Sequence, residues 1–327
     1  MTSSQPDAEV GGRLPSGDRL PIEPMDPQIT SIQPGGGLGM KLELRWGHCR
    51  RAYLKMFRPA YVQRMRASRQ GDPQGCPHEV LDPRDLKYFR NVCDCHWPVE
   101  ADPFAWRDRL PFARPGLAEL ILLAGGCFAL ALFLFFIFWP AAIVAAGLGL
   151  FVVSFFRNPH RSIPTGLGVV VSPADGKVVA IERLAHDEFV GGPVVMIGIF
   201  LSVFNVHVNR SPVDARVIGL TYRKGKFLNA LRTVSARENE QLAVRLEENV
   251  PPYRLMIVRQ IAGAIARRIV CQLKPGDYVT RGQLFGMIKF GSRTELVLPD
   301  EPGLQVKVKI GDNVRGGASI LAQYENG

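Results

Sequence analysis

Apolar positions are spread unevenly along this chain and divide it into distinct textures. Residues 1–40 hold 13 Pro or Gly and almost no apolar periodicity, so they are expected to form a disordered tail. Residues 41–115 read as short helices and loops in an extension of unassigned role. From Leu120 to Phe156 there is no charged residue, a run of 37. One helix of that length would measure about 55 Å, against a bilayer hydrocarbon core of roughly 30 Å. Trp139-Pro140 interrupts the run near its middle, so two spans, about 120–138 and 141–156, are predicted within an anchor of residues 116–156. The second span is short and carries Gly147 and Gly149, which leaves a re-entrant or shallow hairpin open. A buried helix pair in a soluble core is the other reading. The run begins too far along the chain for a cleaved signal peptide.

Beyond Arg157 the pattern changes to short runs rich in β-branched residues. They are Val169–Val171, Lys177–Ile181, Val194–Phe200, Arg216–Tyr222, Tyr253–Gln260, Arg268–Leu273 and Leu304–Ile310, separated by Gly, Pro and Asp. Ser235–Glu248 reads as the one helix, with Leu242 and Leu246 at i,i+4. The segment Lys274-Pro275-Gly276-Asp277-Tyr278-Val279 recurs as Lys309-Ile310-Gly311-Asp312-Asn313-Val314, each copy followed by a turn glycine, Gly282 or Gly317. Lipoyl and biotinyl carrier domains use such hairpins to turn between sandwich strands. The predicted fold class is therefore mainly β (α+β): a β-sandwich with lipoyl/biotinyl-carrier-like duplicated hairpins and few short helices, spanning 157–327 behind a membrane helical hairpin.

Net charge is +10 and clustered. Residues 41–69 hold nine Lys/Arg against one acid, Glu43, interleaved with Leu, Trp, Tyr, Met and Phe. Ahead of an anchor this basic amphipathic segment reads as attraction to anionic lipid and as placement at the inner membrane, with the C-terminal domain on the cytoplasmic side. A nucleic-acid partner would suit the charge but has no motif behind it, and none is expected. The six cysteines form no disulfide framework. Cys76, His78, Cys93 and Cys95 are zinc-ligand types at a spacing that matches no zinc motif, so reduced, unliganded thiols and no metal are expected.

Three places carry candidate chemistry. Gly291-Ser292 lies between two strand-like runs, where the Ser292 Oγ can attack the Gly291 carbonyl and turn the amide into an ester. β-Elimination and hydrolysis would then leave a pyruvoyl group, a covalent substitute for pyridoxal phosphate that forms Schiff bases with amines. Asp175 sits in Ser172-Pro173-Ala174-Asp175-Gly176, and His207 leaves an apolar strand just before the Ser211-Pro212 turn. Taken alone, Asp175-Gly176 is a hairpin turn and His207 a packed histidine.

Together with Phe155–Pro164, Gly225–Ala230, Asn239-Glu240 and Ala266–Arg268, these segments resemble the phosphatidylserine decarboxylases in their short bacterial form, over roughly 157–321. The resemblance implies a proenzyme that cuts itself between Gly291 and Ser292, giving a β chain (1–291) and an α chain headed by a pyruvoyl group made from Ser292. That group would form a Schiff base with phosphatidylserine in an anionic membrane and release phosphatidylethanolamine and CO2. His207 is the candidate acid for the protonation that follows, and Asp175 with a histidine is the candidate pair for self-cleavage. Longer forms of the family carry a second histidine three positions after the first; here that position is Arg210. Either His207 serves both steps, or another group is the base and Arg210 polarises a carbonyl or binds the lipid phosphate, with Lys226 as a second substrate-binding candidate. Arg293 stands where many members have threonine. A homo-oligomer is an open expectation. The competing reading is a non-enzymatic membrane adaptor with a lipoyl-like β domain. Such an adaptor would leave the combination of Asp175, His207 and Ser292 unexplained.

Overall fold

Runs of β-branched residues between Gly, Pro and Asp turns make antiparallel sheets throughout the C-terminal half of the chain. The computed structural model describes residues 19–228, 235–263, 268–289 and 292–325. Gly291 and Phe290 lie outside the described residues, as do Asn229, Ala230, Ala266 and Arg267 of the segments named above.

The N-terminal part contains α1 (Leu38–Phe57), α2 (Pro59–Ser68) and a small hairpin of β1 (Gln70–Asp72) with β2 (Asp94–His96). Then α3 (Leu117–Phe135) and α4 (Trp139–Phe155) fold back on each other. Their approach is close: a Cβ added to Gly149 would lie 2.9 Å from the Phe128 ring. Arg114–Phe135 is the one helix among the described residues long and apolar enough to cross a membrane, and Trp139–Phe155 is shorter. Both helices leave large apolar side chains exposed, including Leu122, Phe133, Ile143 and Leu150.

The strands that follow are β3 (Val169–Val171), β4 (Gly176–Asp187), β5 (Gly192–Leu201), β6 (Val208–Arg210) and β7 (Ala215–Arg223). After the single turn α5 (Ser235–Glu238) come β8 (Gln241–Glu248), β9 (Leu255–Ile261), β10 (Arg268–Cys271), β11 (Tyr278–Val279) and β12 (Leu284–Lys289). The chain closes with β13 (Ser292–Pro299), β14 (Leu304–Val306), β15 (Asn313–Val314) and β16 (Ile320–Tyr324). One curled sheet runs β11-β7-β8-β9-β13-β5-β4-β15, with two smaller sheets, β10-β12-β6 and β14-β16-β3. A single core draws on all three, among others through Ile197 and Leu296, Ile269 and Ile288, and Val170 and Leu321. β13 lies between β5 and β9 and is buried along its whole length.

The helix expected at Ser235–Glu248 is a correction. Only Ser235–Glu238 is helical, and Gln241–Glu248 is a strand. Leu242 and Leu246 satisfy both an i,i+4 and an i,i+2 pattern. Val244 between them is buried as well, which makes the period two and places all three on the core side of the sheet.

The duplicated turns are related in detail. Lys274 N–H donates to Asp277 Oδ2 at 2.9 Å and Lys309 N–H to Asp312 Oδ2 at 3.0 Å. Gly276 and Gly311 take φ of 92° and 103°, a region that favours glycine. Gly282 N–H donates to Ser211 O, and Gly317 N–H donates to Ser172 O, both at 2.8 Å. The repeat therefore extends to the partner turns, Ser172-Pro173-Ala174-Asp175 and Ser211-Pro212-Val213-Asp214. Each serine Oγ donates to the carbonyl two residues on at 2.7 Å. The halves also interlock: Val171 N–H donates to Pro212 O at 3.0 Å, and Arg210 N–H donates to Pro173 O at 2.9 Å.

Two further expectations are corrected in the N-terminal part. Residues 19–37 pack on the β domain: Glu23 N–H donates to Ile218 O, Cys271 N–H donates to Ile32 O, and Ile29 and Ile32 are buried. Apolar residues in this Pro/Gly-rich strap are few, but Met25, Ile29 and Ile32 reach a core. Cys76 and Cys93 are joined as a disulfide instead of standing as two reduced thiols, within a small core containing Phe89, Trp97 and Val270. Ile32→Ala should cost about 2–5 kcal/mol, the range for emptying a buried aliphatic site. Chemical unfolding in detergent checks it, and an unchanged midpoint would mean the strap is not part of the fold.

Candidate active site

Ser292 opens β13 opposite Leu201, the last residue of β5. Its side chain is fully buried, and its Oγ has no hydrogen-bond partner among the described residues. An unpaired buried hydroxyl is costly and therefore uncommon. Side chains on a strand alternate, so Ser292 shares a face with Thr294. That face looks toward β6, because Asn209 Nδ2 donates to Thr294 Oγ1 at 3.0 Å. Gln260 Nε2 in turn donates to Asn209 Oδ1 at 2.9 Å and to Val270 O at 3.2 Å. Gly286 leaves room for this row, since a Cβ there would lie 2.3 Å from Val270 O. Asn209, Thr294 and Gln260 were not singled out from sequence. The only available signal was polar residues at core positions of apolar strands.

His207 lies just ahead of β6 and extends its ladder, its carbonyl accepting the Ile288 N–H at 3.0 Å. It is two residues before Asn209, as Ser292 is two before Thr294. The turn that leads to it begins where β5 ends, beside Ser292, and is held by Asn205 Oδ1 accepting from Ser202 N and Oγ, each at 2.8 Å. His207 Nδ1 lies 2.9 Å from Asn205 O, an acceptor only, so Nδ1 carries the proton and Nε2 is the basic nitrogen.

The end of α4 covers this histidine. The Phe155 ring packs on the imidazole with centroids 4.3 Å apart, and Phe151 meets Phe204 at 5.8 Å. Arg157 ties the two segments, donating to Ser154 O at 2.6 Å and to Phe204 O at 2.9 Å. Burial pushes the His207 pKa down to about 4; the Asn205 contact opposes that shift and the Arg157 charge adds to it. The imidazole is thus neutral near pH 7.

The other expected site residues lie elsewhere. Asp175 sits on the far side of β5 from Ser292, two strand spacings or about 10 Å away. Its Oδ1 accepts the Gly316 N–H at 2.8 Å and its Oδ2 pairs with Arg161 at 2.6 Å. Burial raises its pKa, and the Gly316 hydrogen bond and Arg161 lower it in turn. Asp214, its counterpart in the repeat, likewise accepts the Arg281 N–H at 2.9 Å, so Asp175 closes a turn. Arg210 is opposite Leu284, five residues or about 17 Å of strand from Lys289. Its guanidinium donates to Gly282 O at 2.8 Å and to Asn158 Oδ1 at 2.6 Å. Lys226 is exposed and pairs with Glu238 at 2.9 Å. Its neighbour Asn239 is the residue that approaches the site: Asn239 Nδ2 donates to Ala262 O at 2.7 Å, just past the end of β9.

Lys289, the last residue of β12, is buried and pairs with Glu119 in the first turn of α3. Burial lowers its pKa, and the Glu119 charge resists that shift. A groove of about 640 Å³ between the N-terminal extension, α3 and the Lys274–Asp277 turn includes neither Ser292 nor His207. Among the described residues no three His, Cys, Asp or Glu side chains are grouped so as to hold a metal ion.

With this geometry in view, comparison with known proteins is decisive. The family model described as phosphatidylserine decarboxylase matches residues 148–322. This chain belongs to the phosphatidylserine decarboxylase family. It is 47% identical over 242 residues to the phosphatidylserine decarboxylase proenzyme of Rhodopirellula baltica, covering 74% of this chain and all of that relative. The proenzyme of Carboxydothermus hydrogenoformans is 46% identical over 188 residues, covering 58% of this chain and 86% of its own length. That of Nitrosomonas eutropha is 43% identical over 202 residues, covering 61% and 90%. Membership makes the chain a decarboxylase and sets aside the adaptor reading.

A histidine-selective NMR titration should find His207 neutral and Nδ1-protonated near neutral pH, titrating at about 4 against an ordinary 6.5. Because the folded value is the lower one, its contribution to stability is complete above 6.5 and is lost as pH falls toward 4. Phe155→Ala should move the midpoint up. A native midpoint near 6.5 would contradict the burial described here.

Proposed function

We propose that this chain is a membrane-bound phosphatidylserine decarboxylase that makes its own working group from Ser292. The observation that carries the reading is the buried Ser292 Oγ, unpaired among the described residues, beside a turn holding a neutral histidine. The His207 Nε2 accepts the Ser292 Oγ proton as that oxygen attacks the Gly291 carbonyl carbon. The C–N bond between Gly291 and Ser292 then breaks, the nitrogen takes up a proton, and the acyl group passes to oxygen as an ester. Removal of the Ser292 Cα proton expels the Gly291 carboxylate and leaves chain 1–291 and a chain 292–327 headed by dehydroalanine, whose imine tautomer takes up water and releases ammonia to give the pyruvoyl group. Ser292 fits this role because nothing else among the described residues uses its oxygen.

A pyruvoyl group at residue 292 would supply a ketone that takes up the substrate amine and accepts the electrons released as CO2 leaves. The chain's own residues supply the rest. A proton on His207 Nε2 is held weakly, since burial disfavours the imidazolium, and is therefore readily handed to the carbon that has lost CO2. His207 thus serves both steps, which accounts for Arg210 standing where longer forms have a second histidine. Asp175 and Arg210 act at one remove, fastening the turn where β4 begins and the turn that follows β6.

We read α3 and α4 as a membrane hairpin, supported by the charge-free run and its exposed apolar surface. Basic residues on both flanks support placement on the cytoplasmic side. With this hairpin in a bilayer, the α4 end over His207 and the α3 start on Lys289 would hold the site near the level of a phospholipid headgroup. The matched hydrogen bonds of the duplicated turns favour a sandwich of the lipoyl-carrier kind.

Ser292→Ala should give an uncut chain that releases no CO2 from phosphatidylserine in mixed micelles. His207→Ala should slow processing by about 10²–10⁴-fold, the usual worth of a positioned proton acceptor. A cut, active Ser292→Ala protein would end this reading. A fully processed His207→Ala protein would remove the histidine from it.

A further inference from the structure

The N-terminal extension has no role in the chemistry above, yet α1 has an unusual surface. Its inner side packs on the domain through Gly47, Arg51 and Leu54, and its one acid, Glu43, turns inward to Lys87 and Tyr88. Leu38, Leu42, Trp46, Tyr53, Met56 and Phe57 are all exposed, Leu38 and Met56 at 72% and Trp46 at 68%. At 3.6 residues per turn these six fall within a single arc of about 100°. A soluble surface scatters its exposed apolar side chains singly, whereas a contiguous stripe marks an interaction face.

We propose that α1 lies in the plane of the membrane, with this arc seated in the interface of an anionic bilayer. Charge favours lipid over a protein partner. Lys41 and Arg45 border the arc, and neither they nor Arg58 has an ion pair among the described residues, which leaves these cations available for headgroup phosphates. Position favours it as well. Gly39, in the first turn of α1, lies against Glu119 of α3, where the apolar span begins. Trp46 of α1 and Ile121 of α3 line one groove, so the stripe continues into the exposed apolar surface of the hairpin. Aromatic side chains at such a junction suit the headgroup level. The proposal rests on the hairpin being in the membrane and adds a second, in-plane contact with a different test.

Cys49 is exposed and lies on the same arc, which provides a reporter. The full chain carries a spin label there in a Cys127→Ser background, where the remaining free thiols, Cys95 and Cys271, are buried. In vesicles containing phosphatidylglycerol, power saturation should show the label accessible to oxygen and shielded from a water-soluble nickel chelate. A label at Gln63→Cys on α2, with Cys49→Ser added, should show the reverse. Trp46→Glu with Met56→Glu should return the Cys49 label to water while the protein stays in the vesicle pellet. A wild-type Cys49 label that remains in water on vesicle-bound protein would overturn the α1 proposal and leave the hairpin reading standing. Protein that washes off vesicles altogether would overturn both. Dipolar broadening that disappears on dilution with unlabelled protein would show a second copy on the arc and overturn the proposal.

Discussion

The exclusion of water from the ends of β12 and β13 is the constraint on which the account depends. Ser292 and His207 are both fully buried, and Phe155 lies directly on the imidazole. In water His207 would share its proton with solvent near neutrality, and Ser292 Oγ would be one hydrated hydroxyl among many. Under the α4 end the imidazole is kept neutral with Nε2 basic, and the serine oxygen has no competing partner among the described residues. The same low-dielectric surroundings make an unpaired polar group expensive.

The α3–α4 hairpin takes part in building the site. Its second helix supplies the ring over His207, and Arg157 fixes that helix end to the turn before the histidine. Its first helix places Glu119 on Lys289, three residues ahead of Ser292. Lys289 and the turn that holds His207 are thus both tied to the hairpin. The duplicated turns do comparable work, where Asp175 and Asp214 each receive a backbone N–H from the glycine turn of the same half.

Sequence revealed the parts of this arrangement that leave local marks. The charge-free run, the strand-like runs and the repeated Lys-x-Gly-Asp-x-Val turns are visible because each has its own period or turn chemistry. Ser292 and His207 could be singled out in the sequence, although neither their burial nor the ring over the histidine could. Asp175 and Arg210 were placed at the chemistry because their segments resemble those of the family, while their hydrogen bonds belong to turns. The pairing of Asn209 with Thr294 crosses between sheets 85 residues apart in sequence, a distance at which no local pattern operates. Residues 19–37 were misread for the opposite reason: a Pro- and Gly-rich strap needs few apolar residues when the surface it lies on supplies the rest. Leu242 and Leu246 fitted two periods at once, and tertiary packing of Val244 decided between them.

Intact-mass spectrometry of the native full-length protein is the most direct test of the central claim. It should find two chains, the smaller running from residue 292 to 327 and lighter by one ammonia than a serine-headed chain. A single uncut chain, or a small chain headed by serine, would contradict the assignment of Ser292 as the source of the catalytic group.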